Sequence, residues 1–172
     1  MTLSLYQASV PVLARALNNL SAILGKAMVH AEARKIDPAV FINARLAPDM
    51  FPLARQVQSA SDSAKGCAAR LAGVGIPSYA DTEATFAELQ ERIAKTIAFL
   101  QSVTAAQIDG GENRPVTMRL RGGEVHFTGQ SYLLTFALPN FYFHLTTAYA
   151  ILRHHGVEIG KTDFLGSFLP AP

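Results

Sequence analysis

Apolar residues recur at alternating intervals of three and four along much of this chain. That spacing places them on one face of an α-helix, and it is typical of helices that pack in a bundle. The first segment predicts helix one over about Leu3 to Leu24, with an apolar face made of Tyr6, Val10, Leu13, Leu17, Leu20 and Leu24. Gly25 weakens the pattern, so we expect a long structured connection from there to Ala47. Within it, Lys26 to Lys35 can continue as helix, and a short helix is expected near Pro38 to Arg45, capped by Asp37.

Two further segments repeat the spacing. Helix two is predicted to begin at Pro48-Asp49 and to end before Gly73, with an apolar face made of Met50, Leu53, Val57, Ala60, Ala64, Cys67 and Leu71. Asp81 is the predicted N-cap of helix three, whose apolar face consists of Phe86, Leu89, Ile93, Ile97, Leu100 and Val103. With the last helix described next, these segments predict an all-α four-helix bundle.

The last helix is predicted from Pro139 to Gly156, because both ends carry local signals. Pro139 suits the first helical turn, where we also expect a break or kink, and Gly156 suits a left-handed cap. The last turn carries side chains that complement the negative end of the helix dipole, namely Arg153, His154 and His155. The tail from Val157 to Pro172 is predicted to be a loop, packed down through Ile159, Phe164, Leu165 and Phe168.

A short β-hairpin is predicted before the last helical region. The segment from Pro115 to Phe127 alternates around Gly122-Gly123, as a two-residue hairpin turn would require. With the glycines in the turn, Leu120 is expected to face Val125, and Met118 to face Phe127. Arg119 and His126 would then lie on the other, wetter side.

Composition limits the classes of function. A length of 172 residues suits one domain, taken here as residues 1–172. The formal net charge of +2 is too small to indicate a nucleic-acid or membrane-surface partner. A single cysteine excludes an intrachain disulfide, and the N-terminus has no basic flank before its apolar residues, so we expect a cytoplasmic protein.

One uncharged run needs a separate explanation. Val125 to Leu152 spans 28 residues without Asp, Glu, Lys or Arg, which is long enough to cross a bilayer. The run nevertheless contains several polar residues, which are costly inside a membrane. A buried core helix explains it better, and no membrane partner is predicted.

The last helix also carries the residues best suited to chemistry. Asn140 and His144 are four residues apart and therefore share a helix face. Asp49 and Gln56, predicted on one flank of helix two, are the candidates to face them. The functional hypothesis is a small-molecule pocket in which His144 acts as base or ligand, Asp49 orients or charges it, and the Gln56 and Asn140 amides hold the substrate.

A structural interpretation of the same residues stays open. Asp49 would cap helix two, and His144, Asn140 and Gln56 would satisfy one another as buried polar groups. The chain would then be a non-catalytic structural or stress-associated homodimer whose polar cluster fixes the helix register.

A metal site is predicted only as a remnant at His144. One imidazole with two amides is a poor ligand set for a divalent metal such as zinc or nickel. The other histidines lie in other segments of the chain. No cofactor is therefore expected. Cys67 lies among alanines with no base nearby in the sequence, so we interpret it as inert core packing.

Four motifs carry a resemblance to a known family. They are Arg-Leu-Ala-Pro-Asp-Met-Phe-Pro-Leu at Arg45 to Leu53, Pro-Asn-Phe-Tyr-Phe-His at Pro139 to His144, Ala-Tyr-Ala-Ile-Leu-Arg at Ala148 to Arg153 and Gly-Lys-Thr-Asp-Phe-Leu-Gly at Gly160 to Gly166. Together they resemble a bacterial family of unknown function that is grouped with the DinB-like and YfiT-like metalloenzymes. The resemblance covers essentially the whole chain.

The resemblance implies a DinB-like up-down-down-up four-helix bundle, commonly a homodimer. Better-known relatives include metal-dependent thiol transferases and isomerases, which use one histidine from helix two and two spaced four apart on a later helix. In this chain His144 resembles the second of the spaced pair, Asn140 stands at the first position, and helix two offers Gln56 or Asp49. The resemblance therefore implies where a pocket lies, and it does not transfer metal binding or thiol transfer.

Overall fold

Four long α-helices form the frame of the computed structural model, which describes residues 3–168. They are α1 (Val10–Arg34), α3 (Leu53–Ala72), α4 (Phe86–Ser102) and α7 (Leu138–His154). The shorter elements are α2 (Pro38–Ile42), α5 (Ala105–Ile108), β1 (Pro115–Leu120), β2 (Gly123–Thr128), α6 (Gly129–Tyr132), a π-helical turn (Leu133–Ala137) and α8 (Lys161–Leu165). The predicted four-helix bundle with a small hairpin before the last helical region is confirmed.

Helix α3 packs against both α4 and α7, and α1 packs mainly against α4. The apolar faces predicted from the spacing supply most of the shared core: Leu13, Leu17, Leu53, Val57, Leu89, Ile93 and Leu100 are at most 1% exposed. From α7, Phe141, Ala148 and Ile151 complete it. Burial of these faces is the main favourable contribution to the fold.

Helix α1 begins later and ends later than predicted. Leu3 to Ser9 were expected to be helical, but the helix begins at Val10; it then runs through Gly25 to Arg34. Buried Ala27 and Ala31 continue the apolar face, so packing overrides the weak helix preference of one glycine. The connection to α3 is correspondingly shorter, and Asp37 caps α2 by accepting a hydrogen bond from the Ala39 amide at 2.9 Å, as predicted.

The predicted starts of two helices are wrong. Helix α3 begins at Leu53, four residues after Asp49, because Pro52 disfavours helical backbone at Phe51. Helix α4 begins at Phe86, where Thr85 and Glu88 form a capping box. Asp81 is therefore not an N-cap and is free to make other contacts.

The predicted hairpin is confirmed, but the register predicted for it is wrong. Leu120 pairs with Gly123, so Arg121 and Gly122 form the two-residue loop. Met118 consequently faces Val125, in place of the expected Phe127. Two adjacent glycines offer more than one turn position, and Gly123 adopts the φ of +123° that only glycine tolerates well.

The last helix is continuous with the segment before it. Helix α6, the π-helical turn and α7 follow one another without a loop, and Pro139 lies in the first turn of α7 as predicted. Pro139 has no N–H to donate to the preceding turn, and the wider π-helical turn lies directly before it. The predicted break at Pro139 is therefore a change of helix type. Gly156 has the expected left-handed φ of +87°.

Within residues 157–168 the tail differs from the predicted loop by one short helix, α8, and the last four residues of that prediction lie outside the described residues. Ile159 is buried and Phe164 packs edge-on against Tyr149, with ring centroids 5.7 Å apart. Leu165 and Phe168, also expected to pack down, are instead 39% and 74% exposed. Across residues 3–168, no helix is both long enough and apolar enough to cross a membrane.

Candidate functional site

A hydrogen bond between His144 and Gln56 joins α7 to α3, and the surface between the two helices around this contact and Asn140 is called the cleft below. The His144 Nδ1 atom lies 2.8 Å from the Gln56 Oε1 atom. Gln56 is 1% exposed, whereas His144 is half-buried at the surface of the cleft. The pair therefore has a buried anchor on α3 and an accessible imidazole on α7.

The contacts of Gln56 determine which nitrogen of His144 carries the proton. Gln56 Nε2 lies 3.2 Å from the Phe51 carbonyl oxygen, which can only accept a hydrogen bond. The NH₂ group of Gln56 must therefore point at Phe51, and its Oε1 atom faces the imidazole. An oxygen acceptor there requires Nδ1 of His144 to be the protonated nitrogen. Nε2 is then the basic nitrogen, and no hydrogen bond occupies it among the described residues.

The same surroundings favour the neutral imidazole. Burial lowers the pKa of His144 below its ordinary value, and the positive charge of Arg55 lowers it further. At neutral pH the ring is therefore uncharged, with Nε2 available as a hydrogen-bond acceptor.

Asn140, one helical turn before His144, is oriented by a second chain of contacts. The Ser63 hydroxyl donates to the Ser59 carbonyl oxygen at 2.7 Å, so the Ser63 oxygen can only accept from Asn140. Asn140 Nδ2 donates to it at 2.8 Å. The Oδ1 atom of Asn140 is thereby left as an acceptor without a partner among residues 3–168. The cleft thus presents two open acceptors, Asn140 Oδ1 and His144 Nε2, on residues that are about 6 Å apart in helical rise.

Asp49 does not belong to this arrangement. It lies exposed in the turn that Met50 closes by donating to the Ala47 carbonyl oxygen at 3.0 Å, and it is outside α3. Its predicted position on one helical flank with Gln56 is wrong. The expected mutual pairing of the three polar residues is also only partly right, because Gln56 pairs with His144 whereas Asn140 pairs with Ser63.

The donor set around His144 does not fit a divalent metal. Its neighbours in the cleft offer amide and hydroxyl oxygens, whereas zinc and nickel favour further imidazole, thiolate or carboxylate ligands. Over the described part of the chain, no group of three His, Cys, Asp or Glu residues could hold a metal ion. His154 and His155 lie at the end of α7 as predicted, and His126 lies on the hairpin.

Cys67 is fully buried, and burial raises the pKa of its thiol to about 12. A thiol with so high a pKa stays protonated and is a poor nucleophile. The structure is therefore consistent with its interpretation as core packing.

A charged cluster between α3 and α4 escaped the sequence analysis. Arg92 of α4 is 2% exposed and forms ion pairs with Asp62 at 2.8 Å, Glu83 at 3.0 Å and Asp81 at 3.0 Å. Burial raises the pKa of Asp81, but hydrogen bonds and charges from Arg55 and Arg92 outweigh it and hold that pKa below its ordinary value. The available signal was Arg92 itself, a charged residue beside Ile93 on the apolar face of α4.

The ring of Tyr79 completes this cluster. It lies between two cations, with Lys65 Nζ 4.3 Å and the Arg92 guanidinium carbon 5.6 Å from its centroid. Its ion pairs connect the segment between α3 and α4 to both helices. Since its charges pair with one another, we interpret it as structural.

The sequence and the fold can be compared with those of known proteins. The model of a family described as "Domain of unknown function (DUF1993)" matches residues 5–165. The chain belongs to the DUF1993 family. No curated protein matches it.

A solved structure supports a DinB-like fold for this member of the family. The crystal structure of a DinB family member protein from Shewanella denitrificans superimposes with a TM-score of 0.90 at 43% sequence identity. The match covers 98% of this chain and 96% of that chain. The resemblance inferred from the four motifs is thereby confirmed as a DinB-like domain of unknown function.

Proposed function

We propose that this chain binds a small molecule with hydrogen-bond donor groups in the cleft between α3 and α7, without a metal ion. The observation that carries the proposal is the orientation of His144, whose Nδ1 is held by Gln56 while its Nε2 stays open. Asn140 adds a second open acceptor on the same face. A hydroxyl or amine group on a ligand would satisfy either one.

The surroundings support recognition of an apolar body beside these acceptors. Phe51 and Phe143 are each more than half exposed, and the Phe143 ring lies 5.3 Å from that of His144. Aromatic side chains combined with a few polar atoms are typical of small-molecule sites. A neutral imidazole can also accept a proton from a bound hydroxyl, which is the catalytic step that this arrangement would support.

Phenol is a suitable first probe, because it joins one hydroxyl donor to an apolar ring. In an NMR titration of ¹⁵N-labelled protein, we expect saturable shifts at His144, Asn140 and Gln56. In His144→Phe, which keeps an aromatic ring but lacks the nitrogens, the affinity should fall by roughly tenfold, as expected for loss of a hydrogen bond from a bound polar group. Toluene, which lacks the hydroxyl, should bind no better to the wild type than to the variant.

A matched control comes from the exposed histidine on the hairpin. His126→Phe makes the same chemical change outside the cleft and should leave phenol binding unchanged. Equal phenol binding by wild type and His144→Phe, both shown to be folded, would overturn the proposal.

Absence of a resident metal is a separate prediction. Protein purified without an affinity tag should contain well below one zinc, nickel or iron per chain by elemental mass spectrometry, because the donor set does not suit these ions. Stoichiometric metal that disappears in His144→Phe would contradict this prediction and would identify His144 as a ligand.

The second candidate function is the non-catalytic structural homodimer. The observation in its favour is that the buried polar atoms of the cleft pair with protein groups, as in the Gln56 to His144 and Asn140 to Ser63 contacts. Under this hypothesis His144→Ala mainly lowers thermal stability. Under the first hypothesis it weakens phenol binding by roughly tenfold or more while the fold and its melting temperature are largely kept, and sedimentation measurements report whether either form is a dimer.

A further inference from the structure

The cleft between α3 and α7 ends in a small cavity with donor groups. Its volume is about 190 Å³. The residues that line it include Asp62, Ser63, Arg70, Tyr132, Phe136 and Asn140. Ser63 and Asn140 border it, and Arg70 lies about two helical turns beyond Ser63 on α3. It therefore adjoins the arrangement at His144, and Arg70 and Tyr132 are the polar groups that it adds.

Arg70 is the charged group in this cavity that remains unpaired. Its Nη1 atom donates to the Tyr132 hydroxyl oxygen at 3.2 Å, and the guanidinium lies over the Tyr132 ring at 5.8 Å. Among residues 3–168 it makes no ion pair, and its Nε and Nη2 groups have no hydrogen-bond acceptor. A half-buried guanidinium with open donors is suited to an anionic ligand.

The one carboxylate in the cavity does not serve Arg70. Asp62 is paired with Arg92 at 2.8 Å and with Lys65 at 2.9 Å, so its charge is already compensated. Burial raises the pKa of Tyr132 to about 12, so its phenol stays protonated. Because that oxygen accepts from Arg70, its own proton is available to a ligand.

We propose that this cavity binds a small carboxylate with an apolar body, held by the guanidinium of Arg70 and the hydroxyl of Tyr132. The planar fork of an arginine matches the two oxygens of a carboxylate. Met118 and Phe136 line the cavity with apolar surface that the apolar body of the ligand can contact. The inference extends the proposed function to a neighbouring cavity that shares Ser63 and Asn140, and it is tested with a different probe.

Gly66 offers a way to move Arg70 without removing it. A Cβ added at this buried helical position would lie 2.6 Å from Arg70 Nη1, with no backbone atom in the way. The flexible end of Arg70 can shift at little cost to the fold. Gly66→Ala should therefore displace the guanidinium and weaken carboxylate binding.

Sodium benzoate is the probe, used in an NMR titration of the full chain at neutral pH and constant ionic strength. We expect saturable shifts at Ser63, Arg70 and Tyr132. Arg70→Gln should weaken benzoate binding by roughly tenfold or more, and Arg70→Lys, which keeps the charge but loses the fork, should fall between that variant and the wild type. The matched control is Arg119→Gln, which makes the same charge change at an exposed hairpin position and should leave binding unchanged.

Two outcomes would overturn the inference. The first is equal benzoate binding by wild type and Arg70→Gln, with both shown to be folded by their NMR spectra. The second is an equal response to inorganic phosphate, which would indicate a general anion site without selection for carboxylates. Phenol shifts at His144 should persist in Arg70→Gln, so loss of benzoate binding alone leaves the proposed function standing, and loss of phenol binding alone leaves this inference standing.

Discussion

The carbonyl group of Phe51 sets the chemistry of His144. Because that oxygen can only accept, it orients the Gln56 amide, and the amide in turn requires the imidazole proton on Nδ1. A glutamate at position 56 would present a negative charge to the ring and favour the imidazolium. Glutamine instead holds the ring in place without charging it, which keeps Nε2 available as an acceptor.

This arrangement predicts how stability changes with pH. Burial, with a smaller contribution from Arg55, lowers the folded-state pKa of His144 below the value of about 6.5 for an unfolded histidine. As the pH falls, the unfolded state binds the proton first, so the contribution of His144 is fully present above pH 6.5 and is lost below it. Between pH 7.5 and pH 5, the free energy of unfolding measured with urea should fall less in His144→Phe than in the wild type.

The pKa of His144 can be checked directly. Its ring protons should titrate with a midpoint below that of a free histidine, and Gln56→Glu should move this midpoint upward. A midpoint in the wild type above about 6.5 would contradict the assigned surroundings of the ring.

At the scale of elements, the charged cluster around Arg92 joins α3, α4 and the connection between them. Removal of this side chain would leave Asp62, Asp81 and Glu83 without their shared cation. We expect Arg92→Leu to destabilise the fold by about 3 kcal/mol, the lower end for breaking a buried ion pair, because two of the three acids are partly solvated. Urea unfolding measures this loss.

A matched position on the same helix provides the control. Lys95 forms an exposed ion pair with Glu91 at 2.8 Å, and Lys95→Leu should change stability far less, because solvent screens exposed pairs. Equal losses in the two variants would show that burial of Arg92 does not determine its contribution.

The elements also show what could be predicted from the sequence. The spacing of apolar residues is a local property, so it predicted the four long helices and the shared face of Asn140 and His144. The start of α3 depends on whether Pro52 lies inside the helix or before it, and the wrong choice placed Asp49 in the site. The Arg92 cluster joins two helices through a loop that has no periodic pattern, so only the tertiary structure brings its members together.

At the scale of the whole molecule, the core and the cleft make different demands on α3. Buried Leu53 and Val57 attach α3 to the core, while Gln56 and Ser63 on the neighbouring flank orient polar atoms in the cleft. The cleft side chains on α3 are therefore supported by a helix whose position the core determines. This separation lets cleft residues change while the packing of the bundle remains.

A single continuous core predicts a single unfolding transition for the whole chain. Buried side chains from α1, α3, α4, α7 and the tail form one cluster. Leu17→Ala in α1 and Ile151→Ala in α7, both at 0% exposed positions, should each lower the free energy of unfolding by about 2–5 kcal/mol. Both should move the midpoint of the same urea transition, with coincident far-UV and near-UV circular dichroism curves.

Leu134→Ala, at a position 52% exposed, is the control and should have little effect. Two separate transitions, each sensitive to one of the core variants, would show that the chain contains two folding units.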